Sequence, residues 1–376
     1  MKIGILIVTP SFSPDIGGIA SHLDDLCSVL EKKGYLAYIA TCQPIINNRK
    51  DKYFEKNKSF YVFRMPLLGW KRFIFTGRLR FIYENILLLF PCLYFLIFKN
   101  KEVKVIHSQS FASSFLVYVL GKIFKKKIYL STHNIFKYND RKLSNRVIRR
   151  VLNKYNHIFC VSKESANELV EIGVNAKRIS VYTHWVNNKI FIKQDQGKCR
   201  QVLGLKQVFT VVYVGRLEHS KGIDIMIDLI KNLKDVFFII IGDGNKYREL
   251  FELANTCANL LLIRDLENSK IPQYLCASDI LVIPTVEKEG FGRVIIEAFS
   301  CGVSVIGTNI GRIPEIVSPE VGIIVSQSFR SNIEKALREL KDDKEKLFKL
   351  SATARTYAEK YYSSHNADIF LKKYEE

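Results

Sequence analysis

The stretch that most constrains the fold is residues 283–307, where two short apolar runs enclose a segment with helical spacing. The segment opens at Gly290, Phe291 and Gly292 and closes at Gly302. This order predicts a buried strand, a glycine loop, a helix and a second strand, which is the repeating unit of an α/β domain. We therefore expect helices packed on a parallel sheet.

Two glutamates flank the start of this helix. Glu289 lies in the loop and Glu297 lies inside the helix. Glycines leave backbone amides open at a helix N-terminus, where the helix dipole favours a phosphate. A carboxylate on each side is able to accept hydrogen bonds from paired hydroxyls, so the pattern fits a nucleotide-sugar. Most glutamates are solvated surface charges, but the glycines and flanking strands favour the functional interpretation here.

The size of the chain and its cysteines set broad limits. A chain of 376 residues exceeds what one core usually supports, which predicts two domains. The eight cysteines form no close pairs, which argues against a zinc site or a disulfide framework and favours a reducing compartment. The N-terminal apolar run is too short for a signal peptide and predicts a first strand.

Charge is divided very unevenly along the chain. Residues 1–200 contain 34 Lys and Arg against 13 Asp and Glu, whereas the remainder contains 23 against 24. An excess confined to one half predicts an anionic partner for that half: a nucleic acid, an anionic membrane surface or an acidic substrate.

An apolar segment at residues 81–98 follows a cluster of basic residues, namely Arg64, Lys71, Arg72, Arg78 and Arg80. The segment is shorter than the roughly twenty residues needed to cross a bilayer, so we do not expect a transmembrane helix. Two interpretations stay open: a helix of the core, or a helix whose exposed side lies in a membrane interface. The charge excess favours membrane association.

Glycines and a histidine follow strands of the first half. A predicted strand at 2–9 leads to Gly17 and Gly18 and then to a helix, as in the first unit of a Rossmann-like fold. His133 lies just past the predicted strand 128–131, where open α/β sheets bind ligands. We predict a polar loop over residues 42–59.

The same pattern restarts in the second half, after a predicted linker at residues 183–205. A strand at 209–214 enters a glycine-bracketed loop that carries Arg216 and Lys221. A guanidinium fork and an ammonium point charge are suited to a diphosphate, so we expect this loop to bind one.

On these residues the chain resembles glycosyltransferases with the GT-B fold and is most similar to glycosyltransferase family 4. The matching motifs are Gly17-Gly18, Thr132-His133, Val161-Ser162, Gly215-Arg216-Leu217 with Lys221-Gly222, Gly242-Asp243-Gly244, Glu289-Gly290-Phe291-Gly292 with Glu297, Cys301-Gly302, and Gly311 with Pro314-Glu315. They follow the order of the family over nearly the whole chain. The chain departs from the family at Gln109, where a second histidine is frequent, and at Arg264, where glycine is common.

The resemblance implies an α/β protein of GT-B architecture, in which two Rossmann-like domains with parallel sheets face each other across a cleft. Residues 1–185, joined by the C-terminal helix at about 360–376, would bind the acceptor. Residues 200–358 would bind the nucleotide-sugar. No cofactor is expected, and the sequence contains no Asp-x-Asp pair for a metal.

The resemblance also assigns roles to the site residues. Glu297 would bind the ribose diol, Glu289 the sugar hydroxyls, and His133 would lie beside the transferred sugar. Arg216 and Lys221 would hold the diphosphate. The backbone at Gly290, Phe291 and Gly292, and at Gly17 and Gly18, would approach the phosphates. Catalysis would rest on His133, Glu289, Arg216 and Lys221.

We therefore expect a retaining, metal-independent enzyme that transfers a hexose-type sugar from a UDP- or GDP-sugar. The acceptor would be a glycan or lipid-linked glycan of cell-surface polysaccharide synthesis, at the cytoplasmic face of the cell membrane and in contact with its anionic surface. One alternative is an epimerase or hydrolase of nucleotide-sugars with the same fold. The other is a non-enzymatic nucleic-acid-binding protein, but the sequence shows no recognisable module in which stacking aromatics are interleaved with basic residues, so no nucleic acid is expected.

Overall fold

The computed structural model describes residues 3–15, 17–44, 51–57, 60–66, 78–133, 142–287, 290–326 and 328–376, with the backbone alone at 78–81 and 142–144. The chain forms two compact units. The first unit comprises Met1–His184 and Asn366–Glu376, and the second comprises Trp185–His365.

The first unit is built on an eight-stranded sheet. Its strands are β1 (Gly4–Val8), β2 (Leu36–Cys42), β3 (Phe54–Lys56), β4 (Phe60–Met65), β5 (Val103–Ser108), β6 (Lys127–Thr132), β7 (His157–Cys160) and β8 (Ile179–Val181). Their order is β3-β4-β2-β1-β5-β6-β7-β8, and all neighbours are parallel except β3 and β4. All five residues of β1 are buried, as expected for a parallel strand covered on both faces.

Helices cover both faces of this sheet. They are α1 (Gly18–Lys32), α2 (Arg78–Phe98), α3 (Ser114–Phe124), α4 (Lys142–Leu152), α5 (Lys163–Glu171) and the terminal helix, numbered α14 (Asp368–Glu375) in chain order. Helices α2 to α5 share one apolar core with Leu6 and Val8. On the opposite face, Phe370 of α14 packs on Phe159 with ring centroids 4.4 Å apart. This alternation follows from the two-residue period of strand side chains.

The polar loop predicted over residues 42–59 is wrong at Phe54–Lys56, which forms β3 and pairs antiparallel with β4. The ring of Phe54 lies 6.4 Å from that of Phe63. Arg64 is buried and pairs with Asp51 at 3.2 Å and Glu55 at 3.1 Å. These ion pairs compensate the charges of the segment, and it was because of those charges that a polar loop was predicted.

The apolar segment at 81–98 forms the helix α2, with Pro91 inside it. One side enters the core at Leu88, Cys92 and Phe95, so the core interpretation holds for that side. Among the described residues, the structure contains no helix with the length and apolar character required to span a membrane.

The second unit contains a six-stranded parallel sheet. Its strands are β9 (Thr210–Val214), β10 (Phe237–Ile241), β11 (Leu260–Ile263), β12 (Ile280–Ile283), β13 (Ser304–Thr308) and β14 (Gly322–Val325). Its helices are α6 (Gln196–Val202), α7 (Ile223–Asn232), α8 (Tyr247–Thr256), α9 (Ile271–Ala277), α10 (Arg293–Ser300), α11 (Ile313–Ile316), α12 (Phe329–Asp342) and α13 (Lys344–Tyr361). The predicted strand, glycine loop, helix and strand of the 283–307 stretch are confirmed by β12, α10 and β13.

The linker predicted over residues 183–205 is wrong at Gln196–Val202, which is α6. Asp195 caps this helix by accepting a hydrogen bond from the amide of Lys198. Arg200 is buried and pairs with Asp279 at 2.8 Å. Because the ion pair joins α6 to the start of β12, the segment is part of the second unit.

The strand order of each sheet creates one topological switch point. In the first unit it lies between β1 and β5, and in the second unit, whose order is β11-β10-β9-β12-β13-β14, between β9 and β12. At such a point the connections leave toward opposite faces, so the carboxyl ends of the two strands border a crevice. Ligands of open α/β sheets bind there.

Candidate functional site

The loop that follows β9 carries the two predicted diphosphate cations. The side chain of Arg216 is 61% exposed and pairs with Glu218 at 2.9 Å. Its backbone is fixed because the hydroxyl of Tyr213 donates to the carbonyl of Arg216 at 2.7 Å. Lys221 ends a short 3-10 turn directly before Gly222. The guanidinium is therefore exposed on a loop whose backbone is held in place.

This loop and the loop that follows β12 are joined. Gly222 has φ +73°, and a Cβ there would lie 1.8 Å from the carbonyl oxygen of Pro284. The carbonyl of Ser220 accepts hydrogen bonds from the amides of Val286 at 3.1 Å and Glu287 at 3.3 Å. Glycine is required at 222 both by φ and by space. The two loops at the switch point therefore form one surface.

A third loop packs on the same surface. A Cβ at Gly242, which follows β10, would lie 1.9 Å from the carbonyl oxygen of Gly215. The amide of Leu217 donates to the carbonyl of Asp243 at 2.8 Å. Asp243 also receives a hydrogen bond from Arg264 at 3.0 Å. Backbone of three loops is thus packed together at the carboxyl edge of the sheet.

The start of α10 lies at the end of the β12 loop. Gly292 is the N-cap, with φ 72° and ψ 56°, in the left-handed region that favours glycine. Phe291 is buried, and the guanidinium of Arg312 lies 5.1 Å above its ring. Gly290 precedes it. Glu289 lies outside the described residues, so its predicted contact with the sugar stays a prediction.

Glu297 lies one turn inside α10 and is 5% exposed. Its carboxylate is 3.6 Å from the guanidinium of Arg293, which also donates to the carbonyl of Trp185 at 3.1 Å. A buried carboxylate needs such a partner. Arg293 was not predicted as a site residue, although its position four residues before Glu297 on one helix is a signal for such a pair.

In the first unit, Gly17 and Gly18 begin α1 at the carboxyl edge of the sheet. Gly17 is the N-cap and has φ 154°. A Cβ there would meet nothing within 4 Å, so the conformation, rather than crowding, requires glycine. Both glycines are exposed.

His133, just after β6, is held at both ring nitrogens. Its Nε2 lies 3.0 Å from Oε1 of Gln109, and its Nδ1 lies 3.1 Å from the hydroxyl of Tyr182. The amide oxygen only accepts, so Nε2 carries a proton and donates it to Gln109. The ring is 5.5 Å from that of His22 in the second turn of α1. The structure therefore brings His133 to the helix that begins at Gly17 and Gly18.

A buried polar network continues from Gln109 into the sheet. Gln109 lies 3.3 Å from Nδ1 of His107, which also receives the hydroxyl of Tyr374 at 2.5 Å. Nε2 of His107 bonds to the hydroxyl of Ser131 at 2.9 Å. Burial, followed by the nearby His133, lowers the pKa of His107 to about 3. His107 is therefore neutral, which matches a network of hydroxyl and amide partners.

Sequence reasoning missed most of this network: His22, Tyr182, His184 and Tyr374. His184 bonds to His22 with their Nδ1 atoms 3.1 Å apart. A histidine one turn after the glycine pair was a usable signal for His22. Tyr374 is 267 positions from His107, and no local pattern predicts that contact. Within the part of the chain that the structure describes, no group of three His, Cys, Asp or Glu side chains is placed to hold a metal.

Two family models match the chain. "Glycosyltransferase Family 4" matches residues 16–188, and "Glycosyl transferases group 1" matches residues 195–358. A human relative, which is one of the subunits of phosphatidylinositol N-acetylglucosaminyltransferase, is 28% identical over 357 residues. The match covers 90% of this chain and 69% of the relative.

Solved structures share the fold over the whole chain. A sucrose-phosphate synthase from Thermosynechococcus elongatus superposes with a TM-score of 0.83 at 17% identity and covers 100% of this chain and 98% of its own. HepE from Anabaena, in complex with UDP-glucose, gives a TM-score of 0.75 at 19% identity. The superposition covers 99% of this chain and 98% of the HepE chain. The predicted GT-B fold is confirmed.

Proposed function

Because this chain belongs to glycosyltransferase family 4 and has the GT-B fold, we propose that it transfers a hexose-type sugar from a nucleotide diphosphate sugar with retention of anomeric configuration. The donor is a UDP- or GDP-sugar held by the second unit. Complex formation of HepE with UDP-glucose supports this class of donor.

One observation carries the proposal. The loops after β9 and β12 meet at the switch point of the second sheet, and the contact of Gly222 with Pro284 holds them together. This places the loop of Arg216 and Lys221 against the loop that leads to the α10 N-terminus. Cations and a helix N-terminus on one joined surface are what a diphosphate requires.

The same groups account for rate acceleration. As the bond between the sugar and the diphosphate breaks, negative charge grows on the departing oxygen. Arg216, Lys221 and the amides at Phe291 and Gly292 stabilise that charge more than the charge of the ground state, which lowers the barrier. These side chains supply the positive charge, and we propose a reaction without a cofactor or metal.

The remaining roles follow the family resemblance. Glu297 would accept hydrogen bonds from the ribose diol, and Glu289 from the sugar. His133 would lie beside the transferred sugar, while Gly17 and Gly18 would admit phosphate or sugar atoms close to the backbone. Carboxylate oxygens and imidazole nitrogens are suited to binding hydroxyls.

The acceptor is proposed to be a glycan or lipid-linked glycan of the cell surface, bound by the first unit. Support comes from two observations: the basic excess of residues 1–200, and the human relative, whose name describes transfer to phosphatidylinositol. A lipid-linked phosphate would complement that charge.

Two linked measurements test the proposal. The first is a thermal-shift assay with a panel of UDP- and GDP-sugars. One of these donors is expected to raise the melting temperature of the protein more than its free nucleotide does. With that donor and a lipid-linked glycan acceptor, proton NMR of the product is expected to show the anomeric configuration of the donor.

Three results would contradict it. An inverted product would reject retention, and release of the free sugar or its epimer when acceptor is present would favour a hydrolase or epimerase. A chain that no nucleotide-sugar stabilises would reject the donor class.

A further inference from the structure

Helix α2 turns an apolar side toward the solvent. Every exposed residue between positions 82 and 98 is Ile, Phe or Tyr, and we call these residues the apolar stripe: Ile82, Ile86, Phe90, Tyr94, Ile97 and Phe98. All but Tyr94 are more than half exposed. Their spacing of three and four residues, with the adjacent pair at the end, places them along one side of the helix. Soluble proteins rarely expose such a contiguous patch unless it binds something.

The opposite side of α2 fixes this exposure. Leu88, Cys92, Phe95 and Leu96 are each at most 1% exposed and belong to the core of the first unit. Turning the stripe inward would expose those four side chains, so rotation of the helix brings no gain in buried apolar area. The stripe is therefore a fixed surface of the fold.

Aromatic side chains widen the stripe. Phe54 of β3 lies 6.0 Å from the ring of Tyr94, which lies 5.1 Å from that of Phe98. Phe115, at the start of the neighbouring helix α3, is 53% exposed. The exposed apolar surface thus reaches beyond one helix on both sides.

Exposed basic residues lie on the two helices that follow α2 on the same face of the sheet. Helices α2, α3 and α4 share one core, and α3 packs against both of the others. The exposed cations of α3, its C-cap and α4 form what we call the cationic row: Lys122, Lys125, Arg146, Arg149 and Arg150. The three helices contain a single acidic residue, Glu84, which is buried.

We propose that α2, α3 and α4 form a membrane-docking surface for an anionic phospholipid bilayer. The apolar stripe enters the boundary between headgroups and acyl chains, with α2 in the plane of the membrane, and the cationic row contacts the headgroup phosphates. The apolar stripe is complementary to the acyl chains of a bilayer, and the cationic row is complementary to its anionic headgroups. The inference concerns lipid binding alone and stands apart from the sugar chemistry.

Vesicle co-sedimentation of the full chain tests the apolar stripe. The wild type is expected to sediment with phosphatidylcholine vesicles that contain phosphatidylglycerol, and weakly with phosphatidylcholine alone. The triple variant Ile86→Gln/Phe90→Gln/Ile97→Gln is expected to bind at least about tenfold more weakly, because three large apolar side chains no longer enter the membrane. The matched control Phe251→Gln/Phe348→Gln, at exposed apolar positions of the second unit, is expected to bind like the wild type.

The cationic row is tested by Arg146→Gln/Arg150→Gln. We expect about tenfold weaker binding to the phosphatidylglycerol vesicles and the same weak binding to phosphatidylcholine alone. Unchanged circular dichroism and an unchanged thermal shift with the donor in each variant show that the fold and the donor site are intact.

Three outcomes overturn the proposal: equal vesicle binding by the triple variant and the wild type, absence of vesicle binding by the wild type, and a lipid-free wild-type dimer in sedimentation velocity that the triple variant dissociates. The last result would assign the stripe to a second copy of the chain.

Discussion

The two units present different chemistry at equivalent places of similar sheets. Near the first switch point, Gln109 lies within hydrogen-bond distance of both His107, which is buried and neutral, and half-buried His133. At the second, exposed Arg216 and half-buried Lys221 lie on one loop, whose backbone packs on the neighbouring loops at Gly215 and Gly222. The first arrangement positions a side chain, and the second offers charge to an anion. The sheet therefore sets where a ligand binds, and the strand-end residues set what is bound.

The largest effect is expected when the cationic side chains proposed to bind the diphosphate are removed from the second unit. With the donor from the thermal-shift screen, Arg216→Ala and Lys221→Ala are each expected to lower kcat/KM by about 100- to 1000-fold, as for loss of a charge-stabilising group. Steady-state kinetics measures this effect. Arg248→Ala, an exposed arginine of α8 paired with Glu252, is the control and is expected to keep wild-type turnover. Turnover within threefold of wild type in both site variants would reject the proposed binding of the diphosphate by Arg216 and Lys221.

The next prediction distinguishes the contribution of Glu297 to stability from its contribution to donor binding. Glu297→Ala leaves Arg293 buried without its carboxylate, so we expect the free energy of unfolding of the second unit to fall by about 3 kcal/mol. The double variant Arg293→Leu/Glu297→Leu is expected to recover most of that loss, since an apolar pair replaces a buried ion pair. Urea unfolding measures both. Donor affinity is expected to stay low in both variants, and its recovery in the double variant would remove Glu297 from the donor site.

A pH effect of middle size belongs to the first unit. Burial lowers the pKa of His107 from 6.5 to about 3, so below pH 6.5 the unfolded chain binds a proton that the folded chain does not. Stability therefore falls as pH drops from 6.5 toward 3, by about 2 kcal/mol at pH 5. His107→Phe is expected to lose this part of the pH dependence in urea unfolding at pH 7 and pH 5. The same loss in variant and wild type would show that His107 is not a neutral buried group.

The smallest effect concerns the terminal helix. Tyr374→Phe removes the hydroxyl that bonds to His107 and is expected to lower the free energy of unfolding by about 1 kcal/mol. Tyr53→Phe, at an exposed position of the same unit, is the control and is expected to change it by less than about 0.5 kcal/mol. Equal stability of the two variants would show that the hydrogen bond between Tyr374 and His107 does not stabilise the fold.

Local patterns predicted the second unit better than the first. The strand at residues 280–283, the helix start at Gly292 and the loop around Arg216 combine apolar runs with glycines, and these signals lie within a few residues of each other. The predictions failed where distant residues decide the structure. Arg64 pairs with Asp51 and Glu55 and donates to the carbonyl of Ser13, and β3 forms beside it.

The candidate site shows the same division. Gly17, Gly18, His133, Arg216 and Lys221 follow strand ends and were accessible to pattern reasoning. The partners that orient them were not. Tyr182 lies 49 positions from His133, and Gln109 lies 24 positions from it. Such contacts depend on which strands are neighbours in the sheet, and this order is not written in any local stretch.

Titration calorimetry of UDP and of GDP, in buffer containing EDTA, most directly tests whether the second unit grips a diphosphate through its own cations. We expect the wild type to bind one of the two nucleotides and Arg216→Ala/Lys221→Ala to bind it at least about 100-fold more weakly. Equal affinity of the variant and the wild type, or wild-type binding that appears only when a divalent metal is restored, would contradict it.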